Sequence, residues 1–279
     1  MKGTSVSVAI WPTDRRTTIL DLQRATDCGV RWAMLTSYDC LTASVFEAAG
    51  VRALLVGDTC GQVVFGQADT VAVTMDQMIP MVQAVVRASS TALVVADLPF
   101  GTYQSGPSTA VGNAVRHLKE GGAQAVKLEG GRVVLPQVRA LVDAGIPVMG
   151  HLGLTPQTAG MLGGVQRVQG RGKSGERLLE DALELEAAGA FAVVLESIPA
   201  SLGERVSSAL SIPTVGIGAG PACDAQILVW QDMAGLTKGR QPKFVKHFGD
   251  LDANLRNAAA SFVSEVMTGV YPDEAHSYA

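Results

Sequence analysis

A regular succession of short aliphatic runs constrains the fold of this chain more than any other feature. Eight runs of four or five residues, rich in Val, Leu, Ile and Ala, each lead into polar residues or glycine: residues 32–36, 53–57, 92–96, 125–128, 146–150, 191–195, 214–217 and 227–230. The third, sixth and seventh runs are continuously apolar, which is typical of strands buried on both faces of a parallel sheet. We therefore predict eight buried parallel strands.

Helical segments occupy most of the intervals between these runs. Apolar residues at helical spacing predict helices over residues 74–90, 132–144, 176–188 and 252–267. Thr74 and Gln77 can form a capping box at the start of the first. Strand and helix alternate without a composition break, which predicts an α/β fold, a (β/α)8 TIM barrel. A doubly wound open sheet remains an alternative, because the interval between the seventh and eighth runs leaves little room for a helix. We expect one domain over residues 1–279, with an N-terminal arm to about residue 16 and a C-terminal helix.

Composition and charge exclude several classes of protein. The net charge is −4 and the sequence has no basic block, so it lacks the electrostatic footprint of a nucleic-acid or membrane-surface partner. The longest apolar stretches are too short to cross a bilayer. The four cysteines have neither CxxC nor zinc spacing, and no export signal precedes them. We therefore expect a cytoplasmic protein with reduced thiols.

Ionisable residues lie at the carboxyl ends of five consecutive predicted strands. They are Asp58, Asp97, Lys127, Glu129, His151 and Glu196. Taken singly, an acidic residue after a strand is more often a helix cap or a turn former than a ligand. In a barrel, however, the carboxyl ends of the strands converge on one face, where active sites lie. Residues spread from position 58 to position 196 would then share one pocket, so the set predicts an active site.

The acidic members of this set predict a metal site. Asp58, Asp97 and Glu129 would repel one another unless a cation neutralises them, and all-oxygen ligation favours Mg²⁺. Lys127 projects to the same face as Glu129, because the two residues are two positions apart along a strand. Its ammonium would either neutralise a substrate carboxylate or an enolate oxygen, or form a structural ion pair with one of the acids.

Two further residues are candidates for proton transfer and orientation. Glu196 follows a run of apolar residues, so we expect a partly buried carboxylate, an environment that suits a general base. His151 would either hydrogen-bond a substrate carbonyl oxygen or satisfy a buried backbone group.

Seven segments together carry a resemblance to a known family. They read LLVGD (54–58), ADLPF (96–100), VKLEGG (126–131), GHLGLTPQ (150–157), QGRG (169–172), VLE (194–196) and GIGAG (216–220). In this order they resemble the ketopantoate hydroxymethyltransferase family, and the likeness runs from about residue 32 to GVYP at 269–272. GHLGLTPQ is the longest and most specific of these motifs.

The resemblance implies a phosphoenolpyruvate/pyruvate-type barrel and a one-carbon transfer. A hydroxymethyl group would pass from 5,10-methylenetetrahydrofolate to 3-methyl-2-oxobutanoate, giving 2-dehydropantoate for pantothenate and coenzyme A synthesis. Mg²⁺ would be bound by Asp58 and Asp97, with Glu129 as a ligand directly or through water, and Glu196 would be the base. The substrate-binding set would be Asp58, Thr59, Asp97, Lys127 and His151. Thr59 stands where the family usually has serine, and the hydroxyl is retained.

The same resemblance implies a ring-like homo-oligomer, often a decamer. Three alternatives remain open. A Mg²⁺-dependent lyase that cleaves a carbon–carbon bond of a 2-oxo acid would use the same carboxylates without folate. A Schiff-base route through Lys127 would leave the carboxylate cluster without a purpose. A non-catalytic barrel scaffold would need none of the ionisable groups.

Overall fold

The computed structural model of this protein describes residues 10–164, 167–239 and 241–279. The chain forms two compact units, residues 1–228 and residues 229–279. The first nine residues of the expected N-terminal arm lie outside the described residues. The single domain over residues 1–279, with its arm and C-terminal helix, stays a prediction.

The first unit contains a closed barrel of eight parallel strands in the order β1 to β8. The strands are β1 Trp32–Thr36, β2 Ala53–Val56, β3 Leu93–Asp97, β4 Ala125–Lys127, β5 Val148–Gly153, β6 Ala192–Glu196, β7 Thr214–Ile217 and β8 Ala225–Leu228. β8 closes the barrel by pairing with β1, with Ala225 opposite Trp32. The barrel predicted from the alternation is confirmed, and the open sheet is excluded.

Strand boundaries differ most from the prediction where the apolar pattern is misleading. β8 begins two residues earlier than predicted, because Gln226 is exposed between the buried Ala225 and Ile227. The strand therefore alternates, and the apolar residues after Leu228 lead into a helix rather than continuing it. β5 begins after Pro147, which lacks a backbone N–H, and runs on to Gly153.

Helices follow most strands. They are α1 Ile19–Asp27, α2 Cys40–Ala48, α3 Cys60–Val63, α4 Met75–Ala88, α5 Pro107–Arg116, α6 Leu135–Asp143, α7 Ala159–Leu162, α8 Lys173–Ala187, α9 Ala200–Ala209, α10 Trp230–Met233 and α11 Leu251–Thr268. The capping box of Thr74 and Gln77 at the start of α4 is confirmed. The residues between β7 and β8 form no helix, as their short interval predicts.

Within the described ranges, no helix has both the length and the apolarity that a membrane crossing demands.

Two apolar clusters hold the first unit together. One fills the barrel and contains inward-facing strand residues such as Met34, Val95 and Val194. The same cluster includes Leu22 and Ala25 of α1 together with the first residues of several strands. α1 therefore covers the end of the barrel at which the strands begin. The other cluster lies between the strands and the surrounding helices. The carboxyl ends of the strands are left for polar side chains.

Two charged side chains form hydrogen bonds with the backbone N–H and carbonyl groups between α4 and β3. The carboxylate of Glu47 accepts hydrogen bonds from the N–H groups of Ser90, Thr91 and Ala92, at 2.8, 2.5 and 2.8 Å. Arg16 donates to the carbonyl oxygen of Ala92 at 2.5 Å. Burial alone would raise the pKa of Glu47, but the N–H bonds outweigh it and lower the pKa to about 2.

We expect Glu47→Gln to lower the free energy of unfolding at pH 7 by about 1–3 kcal/mol, because an amide loses the charge that three N–H groups share. The folded-state pKa of Glu47 lies below its ordinary value of 4.5, so its contribution is present above that pH and disappears as the pH falls toward 2. The difference from wild type in urea unfolding should therefore shrink when the pH is lowered from 7 to 3. Glu204→Gln, at an exposed position of α9, is the control. Equal unfolding free energies for both variants would contradict this assignment.

Candidate functional site

The barrel brings the predicted ionisable residues together at the carboxyl ends of its strands. Asp97, Lys127 and Glu196 are the last residues of β3, β4 and β6, and His151 lies within β5. Asp58 and Glu129 lie two residues beyond β2 and β4. All six are buried except Glu196, whose side chain is 16% exposed. Glu196 is therefore the member of this set that a substrate reaches most directly.

Lys127 forms a buried ion pair. Its Nζ lies 2.6 Å from Oδ1 of Asp97 and 3.8 Å from Oε1 of Glu129. The backbone N–H of Asp58 donates to the other oxygen of Asp97 at 3.3 Å. Burial alone would lower the pKa of Lys127, but the surrounding carboxylates outweigh it and raise the pKa. The lysine is therefore charged at neutral pH, and a structural ion pair is what this structure shows.

His151 lies between two carboxylates. Its Nδ1 is 3.4 Å from Oε1 of Glu129, and its Nε2 is 3.2 Å from Oε2 of Glu196. Burial and the nearby Lys127 lower the pKa of His151, but the two carboxylates outweigh them and raise it to about 9. At neutral pH His151 is a cation that links Glu129 to Glu196. Its role in substrate binding stays a prediction.

The backbone beyond Glu196 is strained. Ser197 has a φ of 50°, and it is the one non-glycine residue with a positive φ among those described. Its N–H donates to the carbonyl oxygen of Ile217 at 2.9 Å, and its carbonyl oxygen accepts from the N–H of Gln169 at 2.8 Å. The carbonyl oxygen of Glu196 accepts from the N–H of Leu154 at 2.8 Å. Neighbouring segments thus hold this turn on both sides.

The site contains more acidic side chains than cationic ones. Four carboxylates (Asp58, Asp97, Glu129 and Glu196) face two cations, Lys127 and His151. Burial, followed by the charges of Asp97 and Glu129, raises the pKa of Asp58 well above its ordinary value. Burial also raises the pKa of Asp97, although Lys127 opposes the shift. An ionised carboxylate at either aspartate therefore lacks sufficient neutralising charge from the protein.

The donors at this position suit a hard divalent cation. Asp58 and Asp97 offer oxygen ligands, and Mg²⁺ is usually held by one or two carboxylates while water or substrate completes its coordination. Within the described ranges, no three His, Cys, Asp or Glu side chains could enclose a metal by themselves. Glu129 faces His151 and Lys127 with one oxygen and accepts the N–H of Gln157 with the other, at 3.0 Å. These protein contacts suit Glu129 to a role through water.

Thr59 lies outside this set of contacts. It is half-buried immediately before α3, and its hydroxyl does not cap that helix. Two residues that contact the site, Gln157 and Tyr103, were not predicted. Both lie in loops, where strand periodicity gives no signal. The only sequence signal for Gln157 was its place at the end of GHLGLTPQ.

Comparison with known sequences identifies close relatives. A family model described as ketopantoate hydroxymethyltransferase matches residues 16–274. The 3-methyl-2-oxobutanoate hydroxymethyltransferase of Thermobifida fusca (strain YX) is 59% identical over 267 residues, which cover 95% of each chain. The enzyme of the same name from Frankia alni is 59% identical over 96% of this chain and 88% of its own.

Solved structures share the fold at low sequence identity. A phosphonopyruvate hydrolase in complex with oxalate and Mg²⁺ aligns with a TM-score of 0.61 and 14% identity, over 94% of this chain and 92% of its own. A 2,3-dimethylmalate lyase of the PEP mutase/isocitrate lyase superfamily aligns with a TM-score of 0.58 and 17% identity, over 92% and 90%. The chain therefore has the barrel fold of this superfamily.

We expect Lys127→Met to lower the free energy of unfolding by about 3–5 kcal/mol, because the buried carboxylates of Asp97 and Glu129 then lose the ammonium group that neutralises them. The double variant Lys127→Met/Asp97→Asn should recover part of the loss, since it removes one of those charges. Lys119→Met, at an exposed position, is the control. Urea unfolding of metal-free protein measures all three, and a loss no larger than that of the control would contradict the buried ion pair.

Proposed function

The chain belongs to the ketopantoate hydroxymethyltransferase family, and from that premise we propose how the buried acidic site of the barrel carries out the family's reaction. The enzyme transfers a hydroxymethyl group to 3-methyl-2-oxobutanoate and so makes ketopantoate. The one-carbon donor we propose is 5,10-methylenetetrahydrofolate. The observation that carries the mechanism is the position of Glu196, partly exposed at the end of β6 and in contact with the charged His151.

Glu196 is the base that removes the proton from C3 of the substrate. His151 supports this role, because its Nε2 lies 3.2 Å from Oε2 of Glu196 and its positive charge attracts that carboxylate. Glu129 lies at the opposite edge of the imidazole, with Oε1 3.4 Å from Nδ1, and balances the charge of the ring from that side. One water molecule cleaves the two C–N bonds of the folate methylene carbon, so that tetrahydrofolate leaves with both nitrogens protonated and the water oxygen stays on the released carbon. The substrate carbanion adds to that carbon and forms the new C–C bond, and the proton taken from C3 ends on the new hydroxyl group.

Asp58 and Asp97 are the proposed ligands of Mg²⁺, with Glu129 contributing through water. The fit rests on the oxygen donors of two buried aspartates, which lie close enough for the N–H of Asp58 to donate to Asp97. The raised pKa of both carboxyl groups agrees with a place that lacks neutralising charge. When bound, the cation polarises the 2-oxo group and stabilises the negative charge that develops as the C3 proton leaves. A phosphonopyruvate hydrolase of the same fold, in complex with oxalate and Mg²⁺, supports this choice of metal.

The remaining residues of the set position the substrate. Lys127 places a buried ammonium beside Asp97, where it can attract the substrate carboxylate as well as balance the aspartate. The hydroxyl of Thr59, which does not cap α3, can donate to the same substrate. We place the reaction in the cytoplasm, in agreement with four cysteines that form no disulfide among the described residues.

The central test is deuterium exchange at C3 of 3-methyl-2-oxobutanoate, followed by proton NMR, with Mg²⁺ and with or without tetrahydrofolate. Wild type should exchange the proton, and Glu196→Gln should exchange it at least about 10²-fold more slowly because the base is lost. Treatment with EDTA should have a similar effect. Glu176→Gln, an exposed position that pairs with Arg205, should match wild type.

Four outcomes would overturn parts of this mechanism. Undiminished exchange by Glu196→Gln would exclude it as the base, and exchange that survives EDTA would exclude the cation. Borohydride trapping of a substrate adduct on Lys127 would replace the enolisation route by a Schiff base. Product formation from the 2-oxo acid without any folate would favour a lyase.

We propose further that the protein is a homo-oligomer, as the resemblance implies, and that it is a ring of ten chains. An exposed apolar face on α11 supports self-association, since Leu255, Phe262, Val263 and Val266 are all more than 45% exposed. Light scattering should give the mass of ten 29.0 kDa chains. Val266→Glu should reduce that mass, while Asn257→Glu on the same helix should not. A monomer in the wild type would contradict the proposal.

A further inference from the structure

We propose that Gln157 is a positioning residue, whose side-chain amide fixes the carboxylate of Asp58 in the orientation that cation binding needs. This inference rests on the proposed function, because it assigns a purpose to a contact with a proposed metal ligand. Gln157 is 3% exposed and lies in a short turn after β5, Pro156–Thr158. It reaches the site from a different strand than Asp58 does.

Both ends of the Gln157 amide are fully used. The Nε2 atom donates to Oδ2 of Asp58 at 2.8 Å and to the carbonyl oxygen of Leu98 at 3.0 Å. The Oε1 atom accepts from the hydroxyl of Tyr103 at 2.6 Å and from Nε2 of Gln104 at 3.3 Å. An amide has two hydrogens and one acceptor oxygen, so this arrangement leaves nothing unsatisfied in a buried place.

Tyr103 and the two acceptors around Nε2 together determine which way the amide faces. The hydroxyl oxygen of Tyr103 accepts the N–H of Glu129 at 3.2 Å, and its single hydrogen has two acceptors in reach, Oε1 of Gln157 at 2.6 Å and the carbonyl oxygen of Glu129 at 3.1 Å. The shorter contact assigns that hydrogen to Oε1 of Gln157. A flipped amide would place its oxygen against the carboxylate of Asp58 and the carbonyl of Leu98, two acceptors that offer no hydrogen. Tyr103 therefore acts on Asp58 through Gln157.

The consequence for Asp58 is a fixed carboxylate. Its Oδ2 is held by the amide, and in the described part of the chain its Oδ1 has no hydrogen bond to protein. The backbone N–H of Gln157 meanwhile holds Oε2 of Glu129 at 3.0 Å. One residue thus restrains two of the acids that face the proposed cation. Partners of this kind orient metal ligands, and their loss typically costs about 10–100-fold in metal affinity or activity.

Gln157→Met is the test variant, because methionine has a similar length and leaves the backbone N–H in place while removing the amide. Mn²⁺ serves as the probe, and electron paramagnetic resonance counts the free ion without any need for turnover. We expect the dissociation constant of Mn²⁺ to rise about 10-fold or more. Gln83→Met is the matched control. It makes the same substitution in α4, where the side-chain amide of Gln83 donates one hydrogen bond of similar length to the carbonyl oxygen of Glu120. That variant should bind Mn²⁺ as wild type does.

The role of Tyr103 provides a second measurement. Tyr103→Phe should weaken Mn²⁺ binding by less than Gln157→Met does, because the amide keeps its contacts with Asp58 and Leu98 and loses only its shortest hydrogen bond. In the Gln157→Met background the same substitution should cost nothing more, since residues that act through one another are not additive. Should Gln157→Met fail to fold, Tyr103→Phe alone decides: unchanged Mn²⁺ affinity contradicts the positioning role.

The outcomes separate this inference from the mechanism it rests on. If wild type binds no Mn²⁺, the proposed metal site fails and the role of Gln157 fails with it. If wild type binds Mn²⁺ and Gln157→Met binds it within twofold, the metal site stands and the positioning role is wrong. A purely structural role would lower the urea midpoint and leave the affinity of the folded protein unchanged.

Discussion

The buried ion pair between Lys127 and Asp97 is the interaction on which the rest of the site depends. An isolated charge in the interior of a protein is very unfavourable, and removing one partner of a buried pair is strongly destabilising. Here the pair extends into a chain of contacts, from Asp97 through Lys127 and Glu129 to His151 and Glu196. Each positive group touches acids contributed by more than one strand. The closed barrel is what allows side chains so distant in sequence to balance one another.

Much of this arrangement could be predicted from the sequence, because strand order in a barrel determines where strand ends lie. Asp97, Lys127 and Glu196 are strand-terminal residues, and continuous apolar runs locate those strands to within a residue or two. The prediction placed β8 two residues too late, because Gln226, the one exposed residue of the strand, interrupts the apolar run. The pairing of His151 with two carboxylates could not be predicted, since it depends on side-chain reach across neighbouring strands rather than on position along one strand.

Gln157 and Tyr103 mark the limit of such reasoning. They lie in loops, where neither periodicity nor register restricts the direction of a side chain. What places them is a set of hydrogen bonds that exists only after the barrel has closed.

The low-identity neighbours of the fold act, by their names, as a hydrolase and as a lyase. One scaffold thus serves different reactions, and specificity belongs to the side chains and loops at its rim.

The helix α1 restricts the direction from which reactants can enter the barrel. It covers the end of the barrel at which the strands begin, and apolar side chains fill the interior above it. Both reactants must then approach the acids from the carboxyl ends of the strands. If the oxo acid binds against the aspartates, as we propose, it has to arrive before the larger carrier of the one-carbon unit covers it. On that proposal, a pocket that is closed at its α1 end favours ordered binding, with the carrier second.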